Sequence, residues 1–320
     1  MSNLNLFYFP NILLYNISYR KEENMELKYI VNKSDENKTI NEILSTNFNL
    51  STRLLTKLIK NKNIYINGNI IDTRNTVSSG DIILLDFNYE EDNSNIVPTK
   101  INLDIIYEDK WLLVVNKPAG IPIHPSRLHY EDSLSNGIKY YFDSINLKKK
   151  IRPVNRLDLN TSGLVIFAKS GYIQEEFSKQ MSNDIFKKEY LCIVQGLLQK
   201  KKDIINLPIA RKQGSIIERC INETGQKSIT HYEVLQEFDN YSLVHCILET
   251  GRTHQIRVHM QAINHPIVGD TLYGTSSHLI NRQALHSYKI ECIHPVLKKN
   301  LTFIAKLPKD MENFINNKSK

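Results

Sequence analysis

Between Leu103 and Leu307 the chain carries seven apolar runs of strand length: LDIIY, WLLVVNK, GLVIFAK, EYLCIVQG, ITHYEVLQEF, SLVHCILET and LTFIAKL. Helical periodicity falls between several of them but not in regular alternation, which a doubly wound parallel sheet would require. The pattern therefore predicts an α+β fold built on a mixed, largely antiparallel sheet. With 320 residues there is room for a smaller unit beside it.

That unit is expected at the N-terminal end. Residues 1 to 24 are rich in aromatics and Asn without a clear period and read as a flexible extension, and Met25 opens the more regular MELKYIV. From Thr39 to Ile59 the apolar positions Ile40, Ile43, Leu44, Leu54, Leu55, Leu58 and Ile59 recur at three- and four-residue steps, broken near Asn47 to Ser51, which predicts two short helices. Asn67-Gly68 between alternating Ile residues is a hairpin signal, and DIILLDF supplies a further strand. A small α/β domain over 25–89 follows, with a linker at 90–102 marked by the polar run NYEEDNSN that begins at Asn88. A large domain over 103–311 comes next, and residues 312–320 form a tail whose NNKSK end is frayed.

A net charge of +7 suits a polyanionic partner, but Lys is abundant everywhere, so placement carries more than the total. Between Arg53 and Ile71 stand Arg53, Lys57, Lys60 and Lys62 with no acid, which gives the second helix a basic face fit for a phosphate backbone. No apolar stretch approaches the roughly 18 residues of a membrane span. Cys192, Cys220, Cys246 and Cys292 form no CxxC pair, and the start does not look like a secretory signal. A soluble cytoplasmic protein is expected, with no membrane partner.

The run RPVNRLDLNTSGLVIFAKS leads a polar loop holding Asn155, Arg156, Asp158, Thr161 and Ser162 through Gly163 into an apolar strand. A carboxylate at the mouth of a buried strand is placed to act on a ligand, although Asp alone in such a loop more often serves the turn itself. Around this run stand VNKPAGIPIHPS at 115–126, KKEYLCIVQG at 187–196 and LETGRTHQIRVHMQAINHPIVGDTLYG at 248–274, in that order. Together the four motifs resemble the RluA-type RNA pseudouridine synthases, from about Met25 to Met311, with RQALHSYKIECIHP near the end. The helix pair and hairpin before them resemble the RNA-binding domain named after ribosomal protein S four.

The resemblance implies that Asp158 is the catalytic aspartate, that Arg257 forms a salt bridge with it and that Tyr190 packs against the target base. Where the family usually has His, this chain has Asn155, expected to position the loop or the nucleotide rather than move a proton. Isomerising uridine breaks the bond from ribose to the ring nitrogen and joins carbon-5 to the same ribose. Nothing is added or lost, so no metal or organic cofactor is expected. A carboxylate can serve as nucleophile or assist loss of the base, and a neighbouring cation keeps it ionised. Arg156, Lys117 and Arg252 are expected on RNA phosphate. His254, His259 and His265 match no zinc spacing, and the runs that hold Asp158 and Arg257 offer no further acid beyond Glu249 and Asp270, which disfavours a two-carboxylate hydrolase. The expected partner is RNA, ribosomal first and transfer RNA second, met by a monomer.

Overall fold

The computed structural model describes residues 24–318, so the extension expected at 1 to 24 lies, apart from Asn24, outside the described residues. The N-terminal part contains β1 (Glu26–Ile30), α1 (Ile40–Thr46), α2 (Thr52–Lys60), β2 (Ile64–Ile66), β3 (Asn69–Ile70) and β4 (Ile82–Asp86). Thr39 starts α1 with a capping box: its hydroxyl accepts the Glu42 N–H while the Glu42 carboxylate takes the Thr39 N–H. Ser51 caps α2 through the Leu54 N–H. Asn67 and Gly68 both adopt positive φ, 49° and 83°, as a tight hairpin between β2 and β3 demands. The four strands pair in the order β1-β4-β2-β3.

The remainder runs through β5 (Asp104–Glu108), β6 (Leu112–Lys117), α3 (Leu134–Ser144), β7 (Ser162–Ala168), α4 (Gly171–Ser182), β8 (Lys187–Gln195) and β9 (Lys202–Asn206). A hairpin of β10 (Ile209–Arg211) and β11 (Arg219–Ile221) follows, then β12 (Ile229–Phe238), β13 (Tyr241–Leu248), α5 (Gln255–Ala262), β14 (Leu285–Ile293), β15 (Asn300–Ile304) and α6 (Lys309–Lys318). Nine strands form one sheet in the order β5-β6-β7-β14-β8-β13-β12-β9, with β15 also on β14. Every pairing in it is antiparallel except β7 with β14. The expected α+β class is therefore observed.

Strand alternation sorts the core into two faces. On β6, Leu112 and Val114 join a cluster with Tyr172, Ile173 and Phe177 of α4 and with Ile43, Leu58 and Leu85 of the N-terminal part. Leu113 and Val115 join the opposite cluster with α3, Tyr190 and α6. The small unit thus shares a continuous core with one face of the large sheet.

Two expectations are corrected here. The tail at 312–320 is helical as far as Lys318, because Met311, Phe314 and Ile315 fall on one face; Phe314 is buried and meets Tyr241 edge-on at 5.1 Å. The linker at 90–102 has no helix or strand, yet its Glu91 is buried. Glu91 accepts bonds from Arg152 at 2.6 and 2.7 Å and from Lys57 of α2 at 2.5 Å. An acid-rich run reads as solvated, but one carboxylate here is clasped between two cations brought from far along the chain.

Burial alone would raise the Glu91 pKa, but Arg152 and then Lys57 hold it down, from an ordinary 4.5 to about 2. A folded-state value below the unfolded one adds stability above pH 4.5, and that stability drains away as pH falls towards 2. Urea unfolding across this window is expected to show a steeper acid loss for the native chain than for Glu91→Gln. Equal slopes would remove Glu91 from its place as a clasp.

Candidate active site

The segment preceding β7 folds back along it, Val154 N–H donating to Ile166 O at 2.7 Å and Ala168 N–H to Arg152 O at 2.8 Å. Asn155 extends this ladder with its side chain, giving Nδ2–H to Leu164 O and taking the Ile166 N–H on Oδ1, both at 2.9 Å. Its amide thus braces the loop. The chain then turns over residues 158–161, closed by Thr161 N–H on Asp158 O at 3.1 Å, which puts the Asp158 side chain at the turn. Gly163 follows with φ 117°; a Cβ there would lie 2.2 Å from Ser287 O, so only glycine lets β14 run alongside.

The turn is held from beneath. Leu159 O accepts Gly120 N–H at 3.0 Å and Lys117 Nζ–H at 2.9 Å, and Lys117 also donates to Pro118 O and Ile121 O at 2.8 Å. Lys117 is fully buried, with its pKa drawn by that burial to about 7. Its expected place on RNA phosphate is corrected: Leu113, Val115 and Lys117 share the inward face of β6, so the ammonium points into the protein.

Arg257, in the first turn of α5, reaches Asp158 Oδ2 with Nη1 at 3.2 Å. Its other edge is bound to Asp270, Nε to Oδ2 at 2.7 Å and Nη2 to Oδ1 at 2.8 Å. Asp270 is buried and also accepts the N–H groups of Leu272 and Tyr273 at 3.0 and 3.2 Å. The two-pronged pair fixes the guanidinium plane and leaves Nη1 directed at Asp158. His254 Nε2 lies 3.7 Å from the same Oδ2.

Asp158, His254 and Arg257 border a cavity of about 180 Å³ with walls from Val154, Leu157, Met181, Tyr190, Leu248 and Leu285. That volume equals about six waters, the scale of one six-membered ring. Tyr190 is buried, opposite Cys246 and Ser287 in the sheet; burial pushes its hydroxyl pKa up, against a smaller lowering by the Ser287 hydroxyl and with a further rise from the Asp158 charge, so it stays protonated. Lys188 and the exposed Arg156 and Arg252 add positive charge to the lining.

Arg53 and Lys60 are exposed on α2, whereas Lys57 is spent on Glu91 and lies 4.6 Å over the Tyr89 ring, a correction to its expected phosphate role. The histidines diverge: His259 bonds Thr230 Oγ1 and Leu207 O, and His265 bonds Gln195 O. Among the described residues no group of three or more His, Cys, Asp or Glu side chains is arranged to hold a metal ion. Nor, among them, is any helix long and apolar enough to cross a membrane.

The family model for RNA pseudouridylate synthase matches residues 111–262, the span that carries the Asp158 turn, Tyr190 and Arg257. A Bacillus subtilis protein named as the uncharacterized RNA pseudouridine synthase YjbO is 38% identical over 267 residues, covering 83% of this chain and 94% of its own length. The chain belongs to the RluA-type RNA pseudouridine synthases. Ribosomal large subunit pseudouridine synthase D of Xylella fastidiosa is 33% identical over 271 residues, 80% of this synthase and 81% of that one. The solved structure of human RNA pseudouridylate synthase domain containing 1 shares the fold, with a TM-score of 0.54 and 24% identity over 68% of this chain and 95% of that one.

Sequence reasoning missed how Asp270 and Lys188 serve this synthase. Asp270 was weighed only as a second acid, although a lone carboxylate within the apolar-flanked IVGDTLYG carried the signal of a buried partner. Asp270→Ala is expected to cost about 3–5 kcal/mol, because it strands a buried guanidinium. Urea denaturation measures this; a loss under about 1 kcal/mol would mean that Arg257 is held by other groups.

Proposed function

We propose that this RNA pseudouridine synthase acts on uridine in ribosomal RNA, with Asp158 as the carboxylate that engages the ribose. The observation that carries this reading is the placement of Asp158, anchored by Arg257, at the edge of a one-ring cavity walled by Tyr190. A base inside a structured RNA must be turned out of its stack to reach such a site. Arg156 and Arg252 grip the flanking phosphates while the uracil enters. Tyr190 packs against the ring and, being protonated, offers a donor to its polar edge. Asp158 attacks the sugar or assists loss of the base as the bond from ribose to the ring nitrogen breaks, and the uracil turns within the cavity. Carbon-5 then joins the ribose, freeing the carboxylate if it was attached, and the carbon-5 proton leaves to solvent while the freed ring nitrogen takes one up. The reaction needs side chains only, so no cofactor enters it. Ribosomal RNA is favoured because several relatives of this chain are named as large-subunit ribosomal synthases. The enzyme works as a monomer in the cytoplasm.

Asp158→Asn is expected to keep RNA affinity while losing more than about a thousandfold in rate, since it removes the charge and keeps the shape. Tritium release from carbon-5-labelled uridine in ribosomal RNA reads this directly. Near-normal release by the variant would sink the assignment.

The N-terminal part, with Arg53 and Lys60 on α2, serves as a second RNA contact of the kind seen in the ribosomal protein S four domain. Because it shares a core with the large sheet, point substitution tests this better than removal. Arg53→Ala with Lys60→Ala is expected to lower the slope of log affinity against log salt by about one to two. An unchanged slope would assign α2 another task.

A further inference from the structure

His254 is the N-terminal flanking residue of α5 and adopts left-handed backbone angles, φ 59° and ψ 19°. Side chains other than glycine seldom accept this conformation, although His and Asn do so more readily than most. Its imidazole is turned inward, with 10% of the side chain exposed. On one side Nε2 faces Asp158 Oδ2 at 3.7 Å, and on the other Nδ1 meets Tyr273 Oη at 2.7 Å.

The tautomer follows from counting hydrogens. Tyr273 Oη already accepts the Arg219 backbone N–H at 2.8 Å, so its own hydrogen is available for His254 Nδ1. The remaining imidazole hydrogen then sits on Nε2, where a carboxylate favours a donor over a lone pair. Asp158, Asp270, Arg257 and Arg219 are the charged groups around the ring, and burial is the leading influence that lowers its pKa and keeps it neutral. Tyr273 is itself fixed, its ring lying 4.9 Å from the Arg257 guanidinium carbon.

We infer that His254 is a positioning residue for the reaction: a neutral imidazole, its tautomer set by Tyr273, steadies Oδ2 of Asp158 together with Arg257 and presents Oδ1 to the ribose. The separation of 3.7 Å exceeds a hydrogen bond, and such contacts tighten when substrate fills a site. The inference rests on Asp158 being the reacting carboxylate.

Two amides separate donor placement from backbone strain. Gln carries its Nε2 three bonds from Cβ, as His does, whereas the Asn Nδ2 stands at the place of His Nδ1. Asn tolerates the left-handed backbone better than Gln does. Single-turnover rates at saturating enzyme, RNA affinities and thermal midpoints would be measured for His254→Gln, His254→Asn, Tyr273→Phe and Asp158→Asn. His254→Gln is expected within about threefold of the native rate and His254→Asn at least about tenfold below it, despite an equal or higher midpoint. Tyr273→Phe is expected between them, with RNA affinity unchanged throughout. If Asn supports a rate equal to or above that of Gln while Asp158→Asn is inactive, the positioning inference alone is overturned. An active Asp158→Asn overturns both readings.

Discussion

The two-pronged bond between Arg257 and Asp270 is the contact on which the site hangs. Burying an ion pair gains little net stability, because desolvation consumes most of the attraction. Its value here is directional. Asp270 takes the Nε and Nη2 edge of the guanidinium, and the one remaining nitrogen aimed outward meets Asp158. One arginine thus faces two carboxylates, which leaves Asp158 a negative group within a lining where Lys188, Arg156 and Arg252 supply positive charge. Breaking the bond from ribose to base builds positive character on the sugar, which a preorganised negative field stabilises.

The Asp158 turn is positioned mostly through main-chain atoms. Leu159 O is pinned by Gly120 and Lys117, Asn160 O by Arg282, and the incoming strand by the Asn155 amide. These supports come from three separate stretches of sequence, so the turn has little freedom to drift. Asn155 illustrates the logic: a side-chain amide offers a donor and an acceptor on one small plane, which completes the ladder beside β7.

Much of this was legible beforehand, and the misses share a cause. All seven apolar runs became strands, and the helices of the N-terminal part appeared where the three- and four-residue spacing put them. Asp158, Tyr190 and Arg257, distant in sequence, were linked by the order of four motifs, and the structure brings them to one cavity. β14 escaped because His286 and Ser287 are buried polar residues at its start, satisfied or enclosed by neighbours that no local pattern reveals. Lys117 and Glu91 were misplaced because residue type reports average exposure, whereas a lysine with three carbonyls or a glutamate between two cations is a tertiary arrangement. For Lys117 the strand's two-residue period already pointed inward.

The position of β14 in the sheet has a consequence for how the enzyme comes into being. This strand, drawn from near the end of the chain, lies between β7 and β8, and its start pairs with Ser162 and Gly163 just beyond the Asp158 turn. On a ribosome, the Asp158 loop, the strand of Tyr190 and the helix of Arg257 all emerge before the strand that joins them. Domains fold as units during synthesis, and pairing between distant segments is slow. A chain that stops short of β14 therefore holds Asp158, Tyr190 and Arg257 but lacks the strand that pairs beyond the turn and lends Leu285 to the cavity, so the cavity is expected to form only once β14 is in place.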